Sequence, residues 1–436
     1  MIHLDPTLIG LLGMAIFVTL LILGIPIGIG MATIGFAGIV ALKGFNVGLN
    51  ALFTIPYSAS ASWILSVIPM FVMMGSLAFS AGFTKDAYNA AFKWVGRLPG
   101  GLSVATLLAS AAFGACSGSS IATTAAMGKT AIPEMLRYGY NKRLAAGVCA
   151  MAGPIDALIP PSILLVIYGV LVEESIGKLL IAGTIPGILS MVLFIFVVIT
   201  WAIIKPDHAP RGESFTWKER LFSLKNVVSI FLIFICVFAG LLFGVFTPTE
   251  AGAVGAFFIF LIALLMKRLN WSILKEVVGD TLKVTSYIFF IIIGAYIFIQ
   301  FLALSRLPVV FGEWVVGLPI HRMFIMFGVI IVYLILGCFL DALGLILLTV
   351  PFISQAIFKL GFDPIWFGVM VVTLVEIGLI TPPVGIQAYV LKGVAPQLSL
   401  QDIFMGFIPF FLVDLFLVIG LLLAFPGIAT FLTTFM

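Results

Sequence analysis

The sequence predicts an all-α polytopic membrane protein. Its two halves read as inverted repeats, each with a re-entrant helical hairpin and a helix broken at a Pro-Pro pair. Three observations carry this. First, of 436 residues 62% are apolar and only 9% are charged, whereas a soluble domain carries roughly a quarter charged residues. Such a chain cannot clothe a globule in water, so lipid is its main solvent. Second, two apolar regions carry polar knots at their centres, Cys116-Ser117-Gly118-Ser119-Ser120 and Leu340-Asp341-Ala342-Leu343-Gly344. Third, each region is followed by the same dipeptide, Pro160-Pro161 and Pro382-Pro383, at an offset of 222. This composition excludes a soluble enzyme and a disordered chain. It also excludes a nucleic-acid partner, since a net charge of +4 is too small and too scattered for a phosphate-binding stripe.

The elements follow in order. The start, Met-Ile-His-Leu-Asp, lacks a basic leader, so the apolar run from about Leu8 to Leu23 is expected to stay as a span. A span needs about 20 apolar residues. Such stretches lie near 8–24, 25–42, 64–82, 143–171, 179–203, 226–246, 249–266, 284–303, 364–391 and 402–425. Residues 99–135 and 321–357 fit poorly, because each has two apolar arms around a polar knot. A re-entrant hairpin explains them, its tip meeting protein or water rather than lipid. Cys116, Cys149, Cys236 and Cys338 lie in apolar stretches without a CxxC and read as small buried hydrophobes. His3, His208 and His321 have no ligand spacing, so no structural metal is expected.

Charge sets the sidedness. Placing both hairpins with entry and exit on one face puts the loops expected at 83–98, 129–143, 204–225, 267–283 and 392–401 on a common side. They hold 17 of the 22 Lys and Arg, leaving Lys43, Lys178, Arg306, Arg322 and Lys359 opposite. The positive-inside rule makes the first group cytoplasmic and both termini periplasmic. Trp201, Trp271 and Trp314 fall near span ends, as an interfacial belt requires.

Self-comparison supplies the organisation. Gly139-Tyr140-Asn141 aligns with Gly361-Phe362-Asp363, Ile155 with Ile377, and, after one inserted residue, Gly183-Thr-Ile-Pro186 with Gly406-Phe-Ile-Pro409. The expected domains are scaffold helices over 1–98, then a first repeat over 99–203 (hairpin 99–135, broken helix 143–171, helix 179–203). A cytoplasmic loop over 204–225 and scaffold helices over 226–303 follow. A second repeat over 304–436 (hairpin 321–357, broken helix 364–391, helix 402–425) ends the chain. Inverted repeats with paired broken helices are the usual build of a secondary transporter, with the substrate near the midplane.

The breaks carry the chemistry. Proline lacks an N–H and clashes with the preceding turn, and it pushes the residue before it out of the helical region. Both broken helices must therefore unwind at their centres. Freed carbonyls are costly unless satisfied, and Na⁺ would satisfy them. A new helix beginning at Pro161-Ser162 or at Pro383 offers free N–H groups and a positive dipole end to an anion. Ser117, Ser119, Ser120, Thr123 and Thr124 add hydroxyls beside Gly118. The plain alternative is helix packing, since small residues let membrane helices approach closely. Asp156, Asp341 and Glu376 sit at breaks or tips, as ion ligands or as caps for freed N–H groups. The candidate substrate contacts are Ser119, Ser120, Thr123, Pro161, Ser162, Asp341 and Pro383. No Lys or Arg stands at a tip or a break, and Lys129, some 13 Å beyond Ser120 along a helix, is expected at the interface.

These residues resemble a known family, the large membrane subunit of tripartite ATP-independent periplasmic (TRAP) transporters. The matching stretches run through the chain. They are Gly118-Ser-Ser-Ile-Ala-Thr123, Ile132-Pro-Glu-Met135 before Gly139-Tyr140, Ile159-Pro-Pro-Ser-Ile163, and Glu174-Ser-Ile176 leading to Ala182-Gly-Thr-Ile-Pro-Gly187. Thr247-Pro-Thr-Glu-Ala-Gly252 and Glu376-Ile-Gly-Leu-Ile-Thr-Pro-Pro-Val-Gly385 complete the set. A more distant resemblance is to stand-alone sodium/dicarboxylate symporters, whose Ser-Asn-Thr tip is replaced here. The family resemblance implies an elevator-type secondary transporter of the bacterial inner membrane, whose hairpin-bearing bundle slides against a scaffold. It implies a small four-helix membrane subunit, a periplasmic substrate-binding protein, a small organic anion as cargo and a Na⁺ gradient as drive. By position, one Na⁺ site would join Ser117 and Ser119 to Gly153, Ile155 and Ile159. A second would join Asp341 and Gly344 to Gly378, Thr381 and Val384. Three rivals remain: a channel, a stand-alone Na⁺/dicarboxylate symporter, and a membrane enzyme, for which neither a nucleophile–base pair nor a metal cluster is found.

Overall fold

The computed structural model describes residues 5–436 and, within them, every side chain except that of Asn226. His3 and the first four residues lie outside that description. The described residues are all-helical, with no strand among them. Five helices are long and apolar enough to cross a bilayer, Ile176–Ile204, Pro248–Leu265, Trp271–Ser305, Ala342–Lys359 and Leu400–Ala424. Shorter apolar helices and bent pairs fill the rest.

Hydropathy located most helices and missed three. Phe45–Ser60 and Phe83–Val95 fall where no span was expected, and Leu307–Val316 precedes the second hairpin. Phe83–Val95 buries Phe83, Ala87, Tyr88 and Ala90 and carries Lys85, Asp86, Asn89 and Lys93 among its other positions. A span search therefore passes it over, although its helical periodicity is clear. The stretch 267–283 is no loop. Asn270 caps a 35-residue helix, Trp271–Ser305, by accepting from the Ile273 amide at 2.8 Å. At 1.5 Å per residue that helix is roughly 50 Å long, well beyond a ~30 Å hydrocarbon core. Its first turns carry Lys275, Glu276, Asp280 and Lys283. Cys236 is exposed on helix Trp217–Leu242, unlike the three buried cysteines.

Four of the five basic segments are joined by contacts, and the fifth ends beside Asp402. Arg268 pairs with Asp86. The Lys93 ammonium lies over the Phe215 ring, and Trp94 packs edge-on to Trp217. Tyr138 donates to Glu213 at 2.9 Å, and Arg143 faces Asp402 at 3.7 Å.

Two hairpins and two broken helices form the centre. The first hairpin pairs Gly101–Ser117 with Ser120–Arg137, and the second pairs Arg322–Gly337 with Ala342–Lys359. Both helices are broken where the prolines demand. Lys142–Ala150 and Ala152–Leu158 are followed by a break and then Ile163–Val172, with a bend of 42°. Pro364–Ile380 is followed by a break and then Ile386–Val394. Packing is reciprocal. Ile163–Val172 lies against the second hairpin's arm Ala342–Lys359, and Ile386–Val394 lies against the first hairpin's arm Ser120–Arg137. Around this core, Ile27–Lys43 packs along Trp271–Ser305, and Val67–Ser80 packs against Pro248–Leu265.

Candidate functional site

At the first hairpin tip the chain turns through Gly118, whose φ of +64° is left-handed and suits glycine. Ser119 is extended and caps the second arm, its hydroxyl accepting from the Ala122 amide at 3.4 Å. The Ser117 hydroxyl accepts from the Ser119 amide at 3.3 Å and lies 3.4 Å from the Thr123 hydroxyl. Thr123 in turn donates to the Asp156 carboxylate at 2.7 Å. Asp156 is fully buried, and so are Thr123 and Thr124.

The first break is sealed. Ile159, Pro160, Pro161 and Ser162 are all buried. The tip is tied to it, because the Ile163 amide donates to the Gly118 carbonyl at 3.4 Å. The new helix does not begin at the second proline as the sequence suggested. It begins at Ile163, with Ser162 as its cap, accepting from the Leu165 amide at 3.3 Å. Ser162 is extended, with φ of −131°, so the prolines stay in the unwound segment and the hydroxyl takes the capping role. Gly153 and Ile155 sit within Ala152–Leu158, where the Ile155 carbonyl accepts from the Ile159 amide at 3.2 Å.

The second tip and break differ. Asp341 is the cap residue of Ala342–Lys359, but its side chain makes no capping bond. Asp341 is half-buried and stands beside Gly344, where an added Cβ would meet its Oδ1 at 2.8 Å. Pro382 and Pro383 are exposed, and Thr381 and Val384 are half-buried. The Thr381 hydroxyl donates to the Ile377 carbonyl at 2.7 Å. The following helix starts at Ile386 after Gly385 at φ +60°, again beyond the second proline. Among the described residues, no hydrogen bond joins tip 338–341 to break 381–385. The helices leading into them cross closely: a Cβ on Gly337 would stand 2.7 Å from the Gly378 Cα.

Two features escaped the sequence reading. One is Gln387, fully buried and donating to Glu376 at 2.9 Å. It lies 11 residues from its partner across the break, a spacing that an unbroken helix would hold about 16 Å apart. The other is a cavity of about 230 Å³ between the first hairpin and the scaffold. Ser117 and Ser119 line it from the hairpin, Gly75 and Ser76 from Val67–Ser80, and Asp280 from Trp271–Ser305. Lys129 also lines it and reaches over the Phe79 ring at 5.9 Å. Lys129 is thus exposed, as its distance from Ser120 implied, yet it shares a cavity with the tip hydroxyls. The sites contain hydroxyls, carboxylates and helix ends. This donor set suits small hard cations and an oxyanion.

Residues 14–428 match the model of a family described as the tripartite ATP-independent periplasmic transporter, DctM component. The C4-dicarboxylate TRAP transporter large permease protein DctM of Pseudomonas aeruginosa is 36% identical over 340 residues, covering 78% of this chain and 79% of the relative. The sialic acid TRAP transporter large permease protein SiaM of Vibrio cholerae is 31% identical, over 93% of this chain and 94% of its own. Among solved structures, the YdaH transporter of Alcanivorax borkumensis superposes with a TM-score of 0.60 at 12% identity. The alignment covers 97% of this chain and 98% of that one, and it is a likeness of fold.

Proposed function

The chain belongs to the TRAP transporter DctM family, as a large, multi-pass membrane permease subunit, and from that premise we propose that it imports a small organic anion driven by a Na⁺ gradient. The observation that carries this reading is the hydroxyl-bearing first tip bonded to a helix break, with a cavity opening from that tip. Unwound peptide groups and hydroxyls bind Na⁺, at Ser117, Ser119, Gly153, Ile155 and Ile159 on one side. Asp341, Gly344, Gly378, Thr381 and Val384 serve on the other. The anion meets Ser119, Ser120, Thr123 and the helix end capped by Ser162, with Lys129 at the cavity mouth. Relatives named for C4-dicarboxylate and sialic acid both carry carboxylates, and a carboxylate, sugar acid or sulfonate fits such a site.

The permease works in the inner membrane, with both termini periplasmic, beside a small membrane subunit and a periplasmic substrate-binding protein. The interlocked hairpins and broken helices move as a body against the long scaffold pair Ile27–Lys43 and Trp271–Ser305, in the manner of an elevator. Each Na⁺ charge in excess of the anion's gains about 2.3 kcal/mol per 100 mV, roughly fifty-fold in accumulation.

The test is reconstitution in liposomes of the full chain with its small subunit and the binding protein encoded beside it. A panel of C4-dicarboxylates, sialic acid and sulfonates is offered. Uptake is expected only with loaded binding protein and an inward Na⁺ gradient. Uptake by the chain alone would favour a stand-alone symporter, and flux without a gradient would favour a channel. Ser119→Ala and Thr381→Ala should each raise the Na⁺ concentration for half-maximal uptake several-fold. An unchanged Na⁺ titration in both would remove these ligands.

A further inference from the structure

Three acidic side chains, Asp156, Glu376 and Asp414, are buried in the centre, and none makes an ion pair among the described residues. Asp414 faces Ser190 at 3.4 Å, and Asp156 is held by Thr123. Asp156 keeps its other oxygen without a partner, and so does Glu376, whose bonded oxygen accepts from Gln387. The Gln387 carbonyl oxygen and the Thr124 hydroxyl are likewise buried and unpartnered. These oxygens come from three elements, Thr124 from the first hairpin and Glu376 and Gln387 from either side of the second break. Thr124 and Gln387 meet beside Gly153, where a Cβ would stand 2.9 Å from the Thr124 hydroxyl, 2.9 Å from the Ser120 carbonyl and 2.9 Å from the Gln387 amide nitrogen, closer than a side chain tolerates. Glycine lets these polar atoms close on the backbone.

Leaving such groups unsatisfied costs about 1–3 kcal/mol each, and more for a charge. A proton on Glu376 would supply one donor for one oxygen. A cation serves several oxygens at once and also offsets the carboxylate's charge. We propose that Glu376, Gln387 and Thr124 form a further Na⁺ site beside Gly153, built from both repeats, adjoining the first tip site at that glycine and sharing no side-chain ligand with either tip site. Because its ligands lie on the first hairpin and on both halves of the second broken helix, an ion there ties the two repeats together. The site goes beyond the uptake reading and adds one ion per chain.

The experiment counts radiolabelled Na⁺ bound at saturation per full chain in lipid nanodiscs, with choline keeping ionic strength constant. Glu376→Gln and Gln387→Met should each bind one Na⁺ fewer than the parent. Ser119→Ala and Thr381→Ala should keep this ion and weaken their own. Should Glu376→Gln fail to fold, the near-isosteric Gln387→Met decides alone. An unchanged count in the folded variants, as proton occupancy would give, overturns the site while leaving the tip sites standing. A parent that binds no Na⁺ overturns both. Loss of one ion in Gln387→Met, with Ser119→Ala and Thr381→Ala unaltered, keeps this site and removes the tip sites.

Discussion

The two repeats share a backbone plan and differ in chemistry. Gly114 crosses Asp156 in the first, and Gly337 crosses Gly378 at the matching place in the second. In the second repeat the obstacles to any side chain are backbone atoms, the Gly378 Cα at 2.7 Å among them. In the first, the Asp156 Oδ1 at 2.6 Å stands beside its Cα at 2.9 Å. The first repeat has thus put a carboxylate where the second keeps bare backbone. Around that carboxylate it has gathered Ser117, Thr123 and a sealed break, whereas the second tip offers Leu340, Ala342 and Leu345 with an exposed break. The same fold therefore yields one tip hydrogen-bonded to its break and one, carrying Asp341, that among the described residues is not.

This contrast can be broken at its steric end first. Gly337→Leu should have the largest effect, a loss of about 3 kcal/mol or more, because overpacking against backbone has no soft atom to yield. Loss of monodisperse protein on size exclusion, or a steep fall in melting temperature in detergent, would register it. The sharper form is a double-mutant comparison. Gly114→Ala should be partly rescued by Asp156→Gly, which removes side-chain obstacles, whereas Gly337→Ala leaves nothing to trim. Equal melting temperatures for Gly114→Ala with and without Asp156→Gly would deny the asymmetry.

Next in size is Thr123→Val, which takes the hydrogen-bond donor from a buried carboxylate and should cost about 2 kcal/mol. Thermal unfolding measures it, and its absence in an Asp156→Gly background would tie the effect to that pair. In the second repeat, Tyr333→Phe removes the phenol hydroxyl that lies 2.7 Å from the Thr349 hydroxyl. Because Thr349 also donates to the Leu345 carbonyl, the loss should be smaller, about 1 kcal/mol or less. The smallest effect is away from both. Thr247→Ala opens the capping box with Glu250 at the start of Pro248–Leu265 and should lower stability by about 0.5–1 kcal/mol. A change larger than that of Thr123→Val would reverse the order.

Much of this was legible in the residues. Pro160-Pro161 and Pro382-Pro383 fix their breaks locally, since a ring without an N–H forbids the helix wherever it is placed. The hairpin arms follow from apolar runs with a Gly or Asp between them. The amphipathic Phe83–Val95 and the charged start of Trp271–Ser305 were misjudged because hydropathy measures fitness for lipid and not helicity. Gln387 and the cavity at Lys129 were out of reach because their partners lie on other elements.

By itself the sequence determined a helical membrane protein, the two tips, the two breaks and the family. These depend on solvent preference and on backbone chemistry that each residue carries wherever it sits. Only the tertiary structure decided that the first break is buried and the second exposed, that Glu376 meets Gln387 beside Gly153, and that four basic segments are joined by contacts. Those facts are distances between residues far apart in the chain, and no local rule encodes a distance until the helices have packed.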